Sequence, residues 1–367
     1  MFTLQSLPLP VLGAPMAGGP STPDLAAAVS NAGGLGFLAA GYKTPAAVRE
    51  QILRTRSRTG APFGVNLFVP EHANTYTDAE EPDGKLDAAL AFRDLLAAGT
   101  GREPGQPNPD DDDGWAAKLD LVLQEQPAVV SFTFGLPEPA VLAEFAGRQI
   151  CTVVTVTDPD EARAAADAGA RVLCVQGPEA GGHRGTLDSA KVPGEVPLED
   201  LLRTIADQCD LPLVAAGGIA APPDAAAMLA CGAAAVQVGT LLLLSREAGT
   251  SPVHRSALRE AVQGTRWHET SLTRAFSGRP ARGLTNEFMR TYPDAPDAYP
   301  YVNQITGPLR AAAAAQGDPD GVSLWAGTGY RQMSGDDAGT IVRRLAGSLS
   351  QRAGGALNLP GLTGCRP

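Results

Sequence analysis

The chain has 367 residues and a mass of 37.7 kDa, enough to bury a large core without disulfide or metal staples. Its net charge of −11 and pI near 4.9 exclude a general nucleic-acid or anionic-membrane binder, since both need a basic face. With 44% hydrophobic and 19% charged residues it reads as globular, and its 42 glycines and 31 prolines predict many tight turns.

The N-terminus, Met1-Phe2-Thr3-Leu4-Gln5, has no basic region ahead of an apolar one, so no signal peptide is expected. Eight short apolar runs then follow in chain order: Val11–Ala14, Leu35–Ala39, Phe63–Phe68, Val129–Phe132, Ile150–Val156, Val172–Val175, Leu213–Ala216 and Ala235–Val238. They are continuous rather than alternating, as strands buried on both faces of a parallel sheet are. Alanine-rich helical stretches separate most of them. Thr22-Pro23-Asp24 and Asp158-Pro159-Asp160 each combine an N-cap, a proline in the first turn and an acid near the positive end of the dipole. The second of these helices should stop at Gly169, and another, opening at Pro222-Pro223-Asp224, at Gly232.

Eight strand-then-helix units predict a (β/α)8 TIM barrel over residues 1–245. An insertion at about 69–114 interrupts it, with a short helix near Lys85–Ala98 and four aspartates, Asp110–Asp113. That acidic run reads as a solvated loop; it lacks the spacing of a calcium-binding EF-hand. A smaller, mostly helical appended domain is expected over 246–340. A closing amphipathic helix, Ile341–Gln351, and a tail to 367 should return to the barrel. The alternative is a doubly wound open sheet, which normally carries a dinucleotide fingerprint between its first strand and helix. Gly34-Leu35-Gly36-Phe37-Leu38-Ala39 matches the looser form of it, but its glycines lead into a strand rather than into a helix.

The five cysteines are odd in number, with no C-x-x-C pair, which suggests reduced thiols in a cytoplasmic protein. The four histidines are too scattered for a zinc site, and no apolar run approaches the roughly 18 residues of a membrane span.

Polar and glycine residues gather at the carboxyl ends of the runs, where barrel enzymes build their sites. Gly217-Gly218-Ile219 follows the seventh run and Gln237-Val238-Gly239-Thr240 closes the eighth. Glycines there let backbone N–H groups meet a phosphate, with a helix start beyond adding its dipole. After the sixth run, Gly181-Gly182 makes a narrow loop carrying His183, the candidate general base. Asn66 and Gln176 present side-chain amides that could match a heterocycle with alternating C=O and N–H groups. A phosphate plus a heterocycle suggests a mononucleotide cofactor such as FMN, or equally a nucleotide substrate such as IMP.

The segments Ala14-Pro15-Met16-Ala17-Gly18-Gly19, Gly64-Val65-Asn66-Leu67-Phe68, Glu179-Ala180-Gly181-Gly182-His183-Arg184-Gly185 and Ala216-Gly217-Gly218-Ile219 together resemble the nitronate monooxygenase family, formerly called 2-nitropropane dioxygenases. Ser277-Gly278-Arg279-Pro280-Ala281-Arg282-Gly283 and Ser323-Leu324-Trp325-Ala326-Gly327 extend the likeness to the subgroup active without NAD(P)H. The resemblance implies FMN at the barrel mouth, with Pro15, Met16, Ala17 and Asn66 along the flavin. It places Gln176, Gly181 and Gly182 beside the flavin, and Gly217, Gly218, Gln237, Val238, Gly239 and Thr240 around the phosphate end. It makes His183 catalytic and implies oxidation of a nitronate or nitroalkane with O2 to a carbonyl compound and nitrite. Thr133 stands where some relatives carry His, so it becomes a substrate candidate together with Tyr299 and Tyr301. The alternatives are an NAD(P)H-dependent flavin reductase of enoyl or quinone type and a non-catalytic flavin-binding sensor. The expected partners are small molecules, with no nucleic acid or membrane, and a homo-oligomer is possible.

Overall fold

A computed structural model describes residues 2–77 and 84–347. Its strands are β1 (Val11–Gly13), β2 (Gly36–Ala39), β3 (Phe63–Phe68), β4 (Val129–Thr133), β5 (Cys151–Val156), β6 (Val172–Gln176), β7 (Gly182–His183), β8 (Leu213–Ala216), β9 (Ala235–Val238), β10 (Thr270–Thr273) and β11 (Ala281–Leu284). Eight of them form one parallel sheet in the order β1-β9-β8-β6-β5-β4-β3-β2. A parallel bridge between Leu12 and Leu35 brings the two ends together, with the Gly13 N–H donating to the Leu35 carbonyl at 3.0 Å. The result is the expected (β/α)8 barrel. Every apolar run found in the sequence is one of its strands, because burial on both faces favours continuous apolar residues; the few polar ones, such as Asn66, Ser131 and Thr152, are buried with them.

The helices begin where side chains can satisfy their first N–H groups. Thr22 Oγ1 accepts from Leu25 N at 3.0 Å, and Asp158 accepts from both Asp160 N and Glu161 N. The helix Ala338–Ala346, capped by Asp337, starts three residues before the predicted one. It packs against the barrel helices Pro23–Asn31 and Pro222–Ala230, so the last helix of the ring comes from the far end of the chain. The rest of the predicted tail, 348–367, lies outside the described residues.

The segment after residue 246 is mostly helical, as expected, but holds one short sheet: β10 and β11 pair antiparallel there, and β11 also pairs with β7 in register Ala281–His183. Four-residue strands of mixed polarity leave too little periodicity to read. The aspartate run is also more than a solvated loop. Asp113 accepts the Tyr42 N–H at 2.9 Å and pairs with the buried Lys118 at 2.7 Å. The insertion helix, Lys85–Thr100, packs on the helix Tyr301–Ala315. Phe92 and Leu96 meet Tyr292, Val302, Ile305 and Leu309 in a separate apolar cluster.

Among the described residues no helix is long and apolar enough to cross a membrane, and no group of His, Cys, Asp or Glu could hold a metal ion.

Candidate active site

A cavity of about 670 Å³ opens at the carboxyl ends of the barrel strands and is roofed by the helix Tyr301–Ala315. That volume is typical of small-molecule and cofactor sites. Pro15, Met16, Ala17, Asn66, Gln176, Gly181, Gly182, His183, Gly217, Gly218, Gln237, Val238, Gly239 and Thr240 all line it, as does Thr133. The two tyrosine candidates separate. Tyr299 puts its ring 6.2 Å from that of His183 and 5.4 Å from that of Phe134. Neither tyrosine lines the cavity itself: Tyr299 stands behind Phe134 and His183, and Tyr301 is buried in the apolar cluster beneath the insertion helix.

The glycine loops after β8 and β9 leave the Gly218 and Gly239 N–H groups with no protein acceptor among the described residues. Gly217 and Gly218 stand at φ of +122° and +69°, conformations that L side chains resist. Such N–H groups suit an anionic ligand. The helix beyond them adds less than expected. Pro222 and Pro223 have no N–H, and the Asp224 carboxylate already accepts from Ala220 N and Ala221 N at 2.9 and 2.8 Å. Any phosphate would therefore rest on the loop glycines and Thr240, whose hydroxyl accepts the Gly327 N–H at 2.9 Å.

The two amides are more committed than their residue type suggests. Gln176 Nε2 donates to the His183 carbonyl at 3.0 Å, and its Oε1 accepts from Gly185 N at 2.8 Å. Its main observed work is to buckle the loop that carries His183. Asn66 Nδ2 donates to Ser131 O, Ser131 Oγ and Thr133 Oγ1 at 3.0–3.2 Å, which leaves Oδ1 as its open acceptor. Gly181 is small because Gly327 N lies where its Cβ would be, so the loop docks tightly on the appended segment.

His183 is held from the other side by Ser277, with its Nε2 2.8 Å from the hydroxyl. Ser277 is 2% exposed; its Oγ is 3.1 Å from the Arg279 carbonyl and accepts from Arg279 N at 3.3 Å. The hydroxyl has one proton, and giving it to the Arg279 carbonyl satisfies every group if His183 is the Nε2–H tautomer. Nδ1 then carries the lone pair. Withdrawal from water, with the Arg279 and then the Arg310 charge, pushes the imidazole down to about 3. The ring is therefore neutral throughout the physiological range.

Arg279 is buried, with its guanidinium 4.3 Å above the Phe134 ring. Phe134 and Tyr42 both line the cavity at positive φ, 79° and 64°, a strained backbone of the kind that clusters at functional sites. The Tyr42 and Tyr299 hydroxyls stand 3.3 Å apart across the gap between the barrel and the appended segment.

A profile of the nitronate monooxygenase family matches residues 3–346. The chain belongs to that family. Its members are flavin-dependent oxidoreductases, and the apolar strip at Pro15–Ala17, lining the same cavity as the open N–H groups of Gly218 and Gly239, is a fitting bed for such a group. A probable nitronate monooxygenase of Bacillus subtilis is 35% identical over 354 residues, covering 94% of this chain and 96% of that one. A probable nitronate monooxygenase of Staphylococcus saprophyticus is 33% identical over 93% of this chain and 95% of its own. Among solved structures, a nitroalkane oxidase from Streptomyces ansochromogenes superposes with a TM-score of 0.87 at 45% identity, covering 95% of this chain and 97% of that chain. FabK from Thermotoga maritima is more distant, at a TM-score of 0.71 and 26% identity over 93% of each chain.

Two residues at this family site, Tyr42 and Arg310, carry no signal in the sequence motifs, and Ser277, Arg279 and Trp325 appear there only within family-like segments, with no role. One clue to Arg310 was available. Asn303, Gly307, Arg310, Ala311 and Ala314 recur at helical spacing, and all five line the cavity as one face.

Proposed function

We propose that this enzyme is an FMN-dependent nitronate monooxygenase. It oxidises alkyl nitronates, and nitroalkanes after proton removal, with O2 to carbonyl compounds and nitrite. The observation that carries this reading is His183 in the cavity wall, its Nε2 2.8 Å from Ser277 Oγ, with Arg310 lining the same cavity and Arg279 stacked behind the lining Phe134. Such a site suits a substrate whose reacting carbon is flanked by an anionic group.

Pro15, Met16 and Ala17 would support the flavin ring, Asn66 Oδ1 would accept from it, and Gly217, Gly218, Gly239 and Thr240 would hold the phosphate. When bound, the flavin supplies the electron acceptor and the means of reducing O2. His183 Nδ1 takes the α-proton of a neutral nitroalkane, while Gln176 and Ser277 keep the imidazole oriented. A nitronate arrives without that proton and needs only to be oriented. Phe134, Tyr299 and Trp325 crowd the imidazole with aromatic rings and limit water around it.

The purified protein should be yellow and release FMN on denaturation. It should form nitrite from an alkyl nitronate and consume O2 as it does so. A colourless protein that ignores added FMN would sink the reading. Rapid anaerobic bleaching by NADH or NADPH would instead favour an NAD(P)H-dependent flavin reductase.

A further inference from the structure

We propose that Arg310 is the specificity-determining residue by which the cavity prefers an anionic nitronate to the neutral nitroalkane, its guanidinium bonding a nitronate oxygen. This inference rests on the functional reading above and assigns the charge preference to one side chain.

Arg310 faces the cavity from the roof helix, among the small residues Gly307, Ala311 and Ala314. Small neighbours leave room for a ligand beside a large cation. The guanidinium is held in place: Nη2 donates to the Asn303 carbonyl and to Asn303 Oδ1, both at 2.8 Å, and Nε donates to Thr306 Oγ1 at 3.2 Å. Thr306 is itself buried and tied to the Phe276 carbonyl at 2.5 Å. Nη1 donates to nothing in the protein among the described residues.

Its charge is also unbalanced. No carboxylate pairs with Arg310 among the described residues, and the ionisable group that acts on it is the Tyr42 phenol. A half-buried cation facing a cavity with no counter-charge is costly, and an incoming anion offsets that cost. Its field bears on His183 and Tyr42, which puts it at the His183 end of the cavity.

A nitronate spreads a full negative charge over two oxygens, whereas a nitro group is neutral overall. A charge-assisted hydrogen bond to the first is about twice as strong as one between neutral partners. Losing it should weaken binding by about ten- to a hundred-fold. The planar fork suits the paired oxygens, so lysine should recover only part of the effect.

The test compares wild-type, Arg310→Met and Arg310→Lys holoenzymes at matched FMN content. The dissociation constant of nitrite, read from the flavin spectrum without turnover, should rise about ten- to a hundred-fold in Arg310→Met. KM for the nitronate should rise by a similar factor, while KM for the parent nitroalkane moves less than about threefold. Arg310→Lys should fall between the two. Equal changes for both substrates would make Arg310 a packing residue and overturn the proposal. Unchanged nitrite affinity, or loss of FMN as the first effect, would overturn it as well. If the wild type oxidises neither substrate, the functional reading fails, and the nitrite titration still decides whether Arg310 binds anions.

Discussion

His183 owes its behaviour to its neighbours more than to its own chemistry. Its imidazole is pushed down to about 3, and that of His254, buried with Nε2 on the Trp325 carbonyl at 3.1 Å, to about 4. Both folded values lie below the ordinary histidine value near 6.5. Between those limits the unfolded chain binds more protons than the folded one, so stability falls as pH drops from about 6.5 toward 4. The slope can reach about 1.4 kcal/mol per pH unit for each histidine. Denaturant midpoints recorded from pH 7 to pH 4 should show this decline, and it should be shallower in His183→Asn. An unchanged slope in the variant would mean that His183 already carries its proton in the folded protein. For turnover, His183→Ala should cost about 10²-fold with a nitroalkane, the low end of a general base's worth because an imidazole pushed so far down is a weak base, and less with a nitronate. Equal losses on both would reduce His183 to a positioning residue.

At the scale of elements, the β6–β7 loop decides where the imidazole stands. Gln176 ties the loop from within, β11 pairs with its short strand, and the close approach of Gly181 to Gly327 clamps it from outside. A Cβ at Gly181 would overlap the Gly327 nitrogen and the Ala326 backbone, so the loop would have to lift. Gly181→Ala should cost about 1–3 kcal/mol, as overpacking does, and should disturb the active site as well. Gly182 differs: its φ is +75°, but a Cβ there meets nothing within 4 Å. Gly182→Ala should cost only the backbone strain, about 1–2 kcal/mol. Chemical denaturation with parallel measurement of flavin content separates the two. Equal stability with full flavin content in Gly181→Ala would refute the clamp.

For the whole molecule, the insertion becomes part of the cavity's support. Its helix braces the roof helix through Phe92, which is 5% exposed and stands edge-on to Tyr292 at 5.7 Å. Asp113 fastens the following loop to Tyr42 at the cavity wall. Phe92→Ala should cost about 3–5 kcal/mol, as other buried aromatic truncations do. The loosened roof should raise KM more than it lowers kcat. Thermal melting with steady-state kinetics tests this, and an unaltered KM in a destabilised variant would confine the insertion to a stability role.

The barrel was legible in the sequence because double-sided burial forces continuous apolar strands and because helix ends need caps that only a few residue types supply. The rim was legible for a related reason: a strand's carboxyl end lies one turn beyond its apolar run, so Gly217, Gly239 and His183 could be placed by counting. What stands opposite that rim was not. Ser277, visible in the sequence only within a family-like segment, reaches His183 across 94 residues, and Arg310 enters the same cavity from a helix whose local pattern is weak. Tyr299 and Tyr301 look alike in the chain, yet one packs against His183 and Phe134 behind the cavity wall and the other joins a remote apolar cluster. Such contacts come from how the appended segment packs on the barrel, a long-range outcome that no short window of residues encodes. The sequence by itself therefore determined the scaffold and the residues that line the cavity rim. Tertiary packing alone decided the tautomer, the charge and the roof of the site.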